Sequence, residues 1–180
     1  MEVKIDIYTE ALDRDSRHNA RMAEKRATRQ LISRVFGETA SIEHDSEGRP
    51  SVAGVDFTGM ISITHSCASC LLAVTHRSDI SIGIDAETWR EQLTRVASKF
   101  LTDEERTHYL TPALLLLAWT TKEAVYKAAR IPGLALKEIQ LPVPVAESAS
   151  FTATARGKKY TVMSHSLSST EAITTAYTHL

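Results

Sequence analysis

The order of strand-like and helix-like segments is the feature that most constrains the fold of this 180-residue chain. Val3, Ile5 and Ile7 alternate with polar residues and predict a half-buried strand. A helical pattern then covers residues 13–36 and ends at Gly37, a residue that commonly terminates helices. Short strand-like segments separated by turns follow at residues 39–44, 51–57, 60–64, 70–75 and 80–85.

The second half of the chain repeats this succession of a strand, helical segments and further strands. Helices are predicted at residues 89–100 and 113–130, and a capping box that begins at Thr102 starts a short turn between them. Strands are predicted at residues 136–141, 151–155, 160–164 and 172–177. The order predicts an α+β fold with a coarse two-lobe pattern.

Composition argues against two classes of partner. The formal net charge is −1, whereas general binding to nucleic acid or to a membrane surface requires a large basic surplus. No run of apolar residues is long enough for a transmembrane helix, and the charged N-terminal residues do not resemble a signal peptide. We therefore predict a cytoplasmic protein with neither nucleic-acid nor membrane partners.

Two cysteines form a C-x-x-C pair, Cys67 and Cys70, whose spacing also occurs in redox and zinc sites. Their surroundings predict the start of a strand, so no helix N-terminus is available to activate a thiolate. A zinc site would need two more ligands, and the spacing of His65 and His76 fits no common zinc module. Two reduced thiols are the favoured interpretation.

Two acidic motifs carry most of the functional information. Asp85 and Glu87 of the segment GIDAE are two residues apart on a strand, so both carboxylates point to one face. In the segment WTTKEAVYK, Trp119, Glu123 and Lys127 share one stripe of a helix. Each motif alone also fits a solvated strand end or a surface ion pair. Together, three carboxylates with a nearby lysine suit a hard divalent cation that bridges phosphate oxygens.

With both motifs in this order, the sequence resembles the 4′-phosphopantetheinyl transferases. Their pattern is G-(I/V)-D-x-E, followed further along the chain by W-(S/T)-x-K-E-(S/A)-x-x-K. Upstream, Gly48-Arg49-Pro50 is similar to the G-K/R-P element of the family, and the segment SITHS at residues 62–66 is similar to its S-H-S element. Arg29 with its following aliphatic residues resembles a weaker element. The resemblance spans about residues 25–130.

This resemblance implies the longer branch of the family, a monomer built as two similar lobes with the active site at their interface. The first lobe would cover residues 1–80 and contact the phosphates of coenzyme A, and the second would cover residues 81–180 and carry the metal site and the catalytic helix. The implied reaction transfers phosphopantetheine from coenzyme A, the co-substrate, to a serine of an apo acyl or peptidyl carrier protein and releases 3′,5′-ADP. Mg²⁺ is the implied metal, with Mn²⁺ as an alternative.

The same resemblance assigns roles within the two motifs. Asp85, Glu87 and Glu123 would bind the metal. Glu123, or a water that it orients, would accept the proton of the carrier serine, and Lys127 would face the phosphates as the second catalytic residue. Two other functions stay open, a non-catalytic module that binds coenzyme A or a nucleotide and a metal-dependent phosphohydrolase of coenzyme A.

The implied coenzyme A contacts lie upstream of the acidic motifs at Arg29, Arg49, Thr64 and His65. The first helix also carries a basic stripe, formed by Arg14, Arg17, Arg21, Lys25 and Arg29. A solvated face, a binding surface for coenzyme A phosphates and a docking surface for an acidic carrier helix all fit this stripe. The sequence therefore leaves open which of its members, besides Arg29, contact the ligand.

Overall fold

Mixed strands and helices make up the described part of the chain, which in this computed structural model comprises residues 3–12, 20–142, 150–168 and 170–180. The strands are β1 Asp6–Ala11, β2 Ser41–His44, β3 Pro50–Ala53, β4 Met60–His65, β5 Ser69–Thr75, β6 Ile80–Thr88, β7 Ile139–Gln140, β8 Ser150–Ala155, β9 Lys158–Leu167 and β10 Glu171–His179. The α-helices are α1 Ala20–Phe36, α2 Gln92–Phe100, α3 Asp103–Arg106 and α4 Pro112–Ala129. The predicted α+β class is confirmed.

One predicted strand is wrong in its first half. Leu136–Glu138 form a 3₁₀ turn, and only Ile139–Gln140 pair with β8. The Glu138 carboxylate accepts a hydrogen bond from the backbone N–H of Ala135 at 2.8 Å, which stabilises a helical turn at this point. The apolar pattern of this segment is the same in either conformation, so only the local capping bond distinguishes them.

Several other boundaries also differ from the sequence-based prediction. Strand β3 ends at Ala53 and not at residue 57, and α2 begins at Gln92 and not at residue 89. Strand β6 continues to Thr88 because β10 pairs with it along that whole length, which places Glu87 inside the strand. Strand β1 begins at Asp6, where its pairing with β5 begins, and not at Val3. The N-terminal part of the predicted first helix, residues 13–19, lies outside the described residues.

The first sheet has the antiparallel order β1-β5-β4 and is covered by α1. Ala27, Leu31 and Ile32 of this helix are buried, and they pack against a cluster that includes Leu72 and Val74 of β5. These buried residues form the core face of the helix. β2 and β3 form a separate two-stranded ribbon. Gly48 and Arg49 lie in the turn between these strands, and Pro50 is the first residue of β3 and pairs with His44.

The second sheet has the order β6-β10-β9-β8-β7, and α4 packs against it. Leu115, Leu116 and Leu117 of α4 are buried, and Trp119 packs edge-on against Phe100 at a ring-centroid distance of 5.1 Å. This part of the helix therefore belongs to the core. None of the described helices is long and apolar enough to cross a membrane.

A glycine sets the distance between β6 and α4. A Cβ atom placed on Gly83 would lie 2.0 Å from the carbonyl oxygen of Ala124, far inside van der Waals contact. Only glycine therefore allows the strand with Asp85 to lie directly against the helix with Glu123. This close approach is the structural reason for the glycine that opens the GIDAE segment.

Candidate active site

Asp85 joins three of the segments singled out in the sequence. It lies on β6 and is only 7% exposed. One of its carboxylate oxygens, Oδ1, accepts hydrogen bonds from Thr64 Oγ1 of β4 at 3.0 Å and from Lys127 Nζ of α4 at 2.8 Å. The buried carboxylate is thus held by a hydroxyl from the first sheet and an ammonium group from the long helix, as buried charge requires.

Lys127 lies in the last turn of α4, where a cation is favoured by the helix dipole. Its Nζ also donates to the backbone carbonyl of Ile84 at 2.8 Å, so the side chain is fixed to β6 at two points. The side chain remains 30% exposed. A positive charge held next to Asp85 is therefore still accessible to an anion.

Glu123 lies one turn before Lys127 on α4 and is half-buried. Its pKa is raised, first by burial and then by the negative charges of Asp85 and Glu87, while Lys127 acts in the opposite direction. The electrostatic influence of Asp85 and Glu87 indicates that the three carboxylates form one acidic neighbourhood. A bound cation would relieve this repulsion.

Glu87 is engaged in a local ion pair. Its Oε2 accepts from Arg90 at 2.6 Å, and its Oε1 accepts from the backbone N–H of Thr88 at 3.0 Å. Within the described residues, no three His, Cys, Asp or Glu side chains lie close enough together to form a preassembled metal site. The all-oxygen donor set of Asp85, Glu87 and Glu123 nevertheless fits a hard cation such as Mg²⁺ better than zinc.

Lys127 lines one cavity and Glu87 lines another, and a third cavity shares lining residues with both. We name each cavity after one lining residue. The Arg49 cavity has a volume of about 360 Å³ and is also lined by Lys127 and Arg130. The Arg29 cavity, about 680 Å³, is also lined by Lys25, Thr28 and His65. The Glu87 cavity, about 290 Å³, is also lined by His65, Cys67 and Arg90.

Shared residues connect the cavities. Gly48, Pro50 and Ile63 line both the Arg49 cavity and the Arg29 cavity. His65 lines both the Arg29 cavity and the Glu87 cavity, and its Nε2 lies 2.8 Å from the hydroxyl of Thr28 on α1. The predicted contact residues Arg29, Arg49 and His65 thus line cavities that share residues with one another, and Lys127 and Glu87 line two of these cavities.

The other residues singled out in the sequence differ in their positions. Lys25 and Arg29 line the Arg29 cavity, whereas Arg14 and Arg17 lie outside the described residues. Thr64, predicted to contact coenzyme A, is buried, and its hydroxyl is directed to Asp85. Cys67 and Cys70 are free thiols, and Cys70 is buried on β5.

Sequence reasoning missed the role of Lys122, which lies directly before Glu123. Its side chain is fully buried, and its Nζ donates to Glu105 Oε2 and to the carbonyl of Ile139, both at 2.7 Å. Burial lowers the pKa of Lys122, and Glu105 opposes this shift. The available signal was its helical position between the apolar residues Ala118 and Val125, which predicts an inward-facing side chain.

Glu105 completes this buried pair with further hydrogen bonds. It accepts from the backbone N–H of Thr102 at 2.8 Å and of Leu141 at 3.0 Å. The predicted capping box of α3 is therefore present, and its glutamate also neutralises Lys122. Arg130, the residue that ends α4, was missed as well, although it lines the Arg49 cavity.

Comparison with known proteins agrees with this arrangement. A sequence model of the 4′-phosphopantetheinyl transferase superfamily matches residues 81–176, more than half of the chain. A search of curated proteins found no match for this sequence. The matched region contains both acidic motifs, with Asp85, Glu87, Glu123 and Lys127, as well as the strand β10 that pairs with β6. The chain therefore belongs to the 4′-phosphopantetheinyl transferase superfamily.

Proposed function

We propose that this protein transfers the 4′-phosphopantetheine group of coenzyme A to a serine of an apo acyl or peptidyl carrier protein, with Mg²⁺ as the metal. The observation that carries the proposal is the contact between Lys127 and Asp85 at 2.8 Å. It joins two motifs that are 42 positions apart in the sequence and places a cation beside an acidic cluster. This combination suits a reaction at a pyrophosphate group.

The proposed reaction is a displacement at the β-phosphorus of coenzyme A. The serine oxygen forms a bond to phosphorus, the bond from phosphorus to the bridging oxygen breaks, and 3′,5′-ADP leaves. Glu123 takes the serine proton, directly or through a water that it orients. The position of Glu123 supports this role, because it is half-buried on α4 one turn before Lys127.

Asp85, Glu87 and Glu123 would hold the metal, and Mn²⁺ would also fit their oxygen atoms. The cation, when bound, supplies positive charge that neutralises the pyrophosphate. Thr64 orients Asp85 through its hydrogen bond of 3.0 Å. Lys127 adds a fixed positive charge that faces the Arg49 cavity.

The cavities support a binding path for coenzyme A. Arg29 and Lys25 supply positive charge to the Arg29 cavity, and Arg49 does so in the neighbouring cavity. His65 lies at the junction with the Glu87 cavity, where it would contact a phosphate on the way to the acidic residues. This path runs from the first sheet to the second.

We also infer that the protein is a monomer with two similar lobes, residues 1–80 and 81–180. The strand orders β1-β5-β4 and β6-β10-β9 support this division, since in each the strand before the helix pairs with the last strand of the set. The hydrogen bond from Ile84 N to Ser62 Oγ, 3.1 Å long, joins β6 to β4 across the proposed lobe boundary.

Intact-mass spectrometry of apo carrier proteins tests the proposed reaction. The carriers are incubated with this protein, coenzyme A and Mg²⁺, with Glu123→Ala and Asp85→Ala as paired variants. We expect a phosphopantetheine mass gain that requires Mg²⁺ and is absent with either variant. Full activity of Asp85→Ala would contradict the metal assignment.

The same experiment separates the two other functions. Release of 3′,5′-ADP from coenzyme A without any carrier would identify a phosphohydrolase. Binding of coenzyme A with neither mass gain nor nucleotide release would identify a non-catalytic binding module. Size-exclusion chromatography with light scattering tests the proposed monomer.

A further inference from the structure

Arg130 ends α4 in a backbone conformation that side chains other than glycine adopt with difficulty. Its φ is 53° and its ψ is 34°, which is the left-handed helical region. For an L-residue with a Cβ atom this conformation is unfavourable, and glycine is the residue usually found where a helix ends in this way. Arginine is therefore an unusual residue at this position.

The Arg130 side chain lies in a site that is unfavourable for a cation. It lines the Arg49 cavity together with Arg49 and Lys127, so three positive groups surround one space. Burial and the charge of Arg49 lower the pKa of Arg130, and Asp45 offsets this shift only in part. One hydrogen bond of its guanidinium goes to the sulfur of Met60 at 3.3 Å, a weak acceptor.

The walls of the cavity strengthen the effect of these charges. Ile61, Ile63 and Ile82 line it, so the cationic groups act next to apolar surface where electrostatic interactions are less screened than in water. Glu47 also lines the cavity and forms an ion pair with Arg49. Repulsion between like charges at one cavity is relieved when an anion binds there.

We propose that the Arg49 cavity binds a phosphate group of coenzyme A and that Arg130 is a specificity-determining residue for this group. The inference rests on the proposed function, because coenzyme A is the ligand. Its phosphate comes from either of two sources, the 3′-phosphate or the pyrophosphate. A guanidinium group suits both, since its planar fork matches phosphate oxygens.

The variant Arg130→Gly tests this proposal without the risk of unfolding. Glycine favours the left-handed conformation, so the variant should melt at the same temperature as the parent or at a higher one. Its affinity for coenzyme A, measured by isothermal titration calorimetry, should fall about 10- to 100-fold, because a charge-assisted hydrogen bond is lost. Binding and stability would thus move in different directions.

Arg156→Gly is the matched control. Arg156 also has a positive φ, 46°, and the substitution removes the same charge. Its guanidinium pairs with Glu138 at 2.9 Å at the turn between β8 and β9. We expect this variant to bind coenzyme A with the affinity of the parent protein.

Titration with dephospho-coenzyme A distinguishes the two sources of phosphate. If Arg130→Gly weakens coenzyme A alone, the 3′-phosphate occupies the cavity, and if it weakens both ligands equally, the pyrophosphate does. Unchanged affinity for both ligands, in a protein that binds coenzyme A and modifies a carrier, would overturn this inference alone. Failure of the parent protein to bind coenzyme A would overturn the proposed function as well.

Discussion

Two lysines of one helix, Lys122 and Lys127, make equivalent bonds and have different consequences. Each donates to one carboxylate and one backbone carbonyl, at distances between 2.7 and 2.8 Å. Lys122 reaches Glu105 and is fully buried, whereas Lys127 reaches Asp85 and remains 30% exposed. The Lys122 side chain therefore lies in the core, whereas the Lys127 side chain lies beside the Arg49 cavity.

The difference shows that solvent access, more than the set of bonds, separates a structural charge from one that can meet a ligand. A buried ion pair has no room for a further anion, because the positive charge is already neutralised by its buried partner. A partly exposed lysine beside a cavity can interact with a phosphate while keeping its bonds to the strand. Both lysines belong to the same sequence motif, so their places in the motif do not by themselves distinguish the two roles.

The largest expected effect is the loss of stability in Lys122→Met. Removing this lysine leaves the carboxylate of Glu105 buried without its counter-ion, which typically costs about 3–5 kcal/mol of unfolding free energy. Urea denaturation measures the change. The double variant Lys122→Met/Glu105→Gln should recover part of the stability. A single variant as stable as the parent would contradict the structural role.

The matched substitution Lys127→Met should mainly affect activity. Loss of the fixed charge facing the Arg49 cavity should lower kcat by about 10²–10³-fold, the size typical for a group that stabilises developing charge. The unfolding free energy should fall by about 1–3 kcal/mol, less than for Lys122→Met, because Asp85 keeps its hydrogen bond from Thr64. Carrier modification followed by mass spectrometry provides the rate. If Lys127→Met instead lost much of its stability while its kcat stayed normal, the proposed difference between the two lysines would be wrong.

Gly83→Ala should weaken the contact between β6 and α4, on which the bonds of Lys127 to Ile84 and Asp85 depend. The new Cβ atom would meet the backbone of Ala124 at 2.0 Å, so the helix must shift as a whole. We expect a loss of about 1–3 kcal/mol in unfolding free energy, as for other overpacked cores. Differential scanning calorimetry measures the melting temperature of the variant. An unchanged melting temperature would show that β6 and α4 are not packed as closely at Gly83 as the structure indicates.

The smallest effect is expected for Thr64→Val. This change removes the hydroxyl that donates to Asp85 at 3.0 Å and keeps the volume of the side chain. The unfolding free energy should fall by about 1 kcal/mol. Thr64→Ser keeps the hydroxyl and serves as the control, so it should behave like the parent. If both variants lost the same unfolding free energy, the effect would come from packing and not from the hydrogen bond to Asp85.

Much of the secondary structure was predictable because the spacing of apolar residues indicates which side of a helix or strand faces the core. The helix 113–130 was predicted nearly to its observed limits, Pro112–Ala129, since proline and glycine bound it. The segment 136–141 was not, because a short apolar run fits a 3₁₀ turn as well as a strand. The end of β6 depended on pairing with β10, a partner about 90 residues away that local sequence does not specify.

For the candidate site, the sequence by itself determined the residue types and their local spacing. Alternation on a strand and the turn of a helix are local properties, so the common face of Asp85 and Glu87 and the stripe of Glu123 and Lys127 could be predicted. These motifs also determined membership of the superfamily, which the family match confirms.

Only the tertiary structure determined which groups each charged side chain contacts. It buried Lys122 with Glu105, directed Thr64 to Asp85 and placed Arg130 beside Arg49, in each case across a sequence separation that local rules do not bridge. Burial and proximity arise from packing of whole elements, here the close approach of β6 to α4 at Gly83. The energy of a charge depends on its surroundings, so its role is fixed only when those surroundings form.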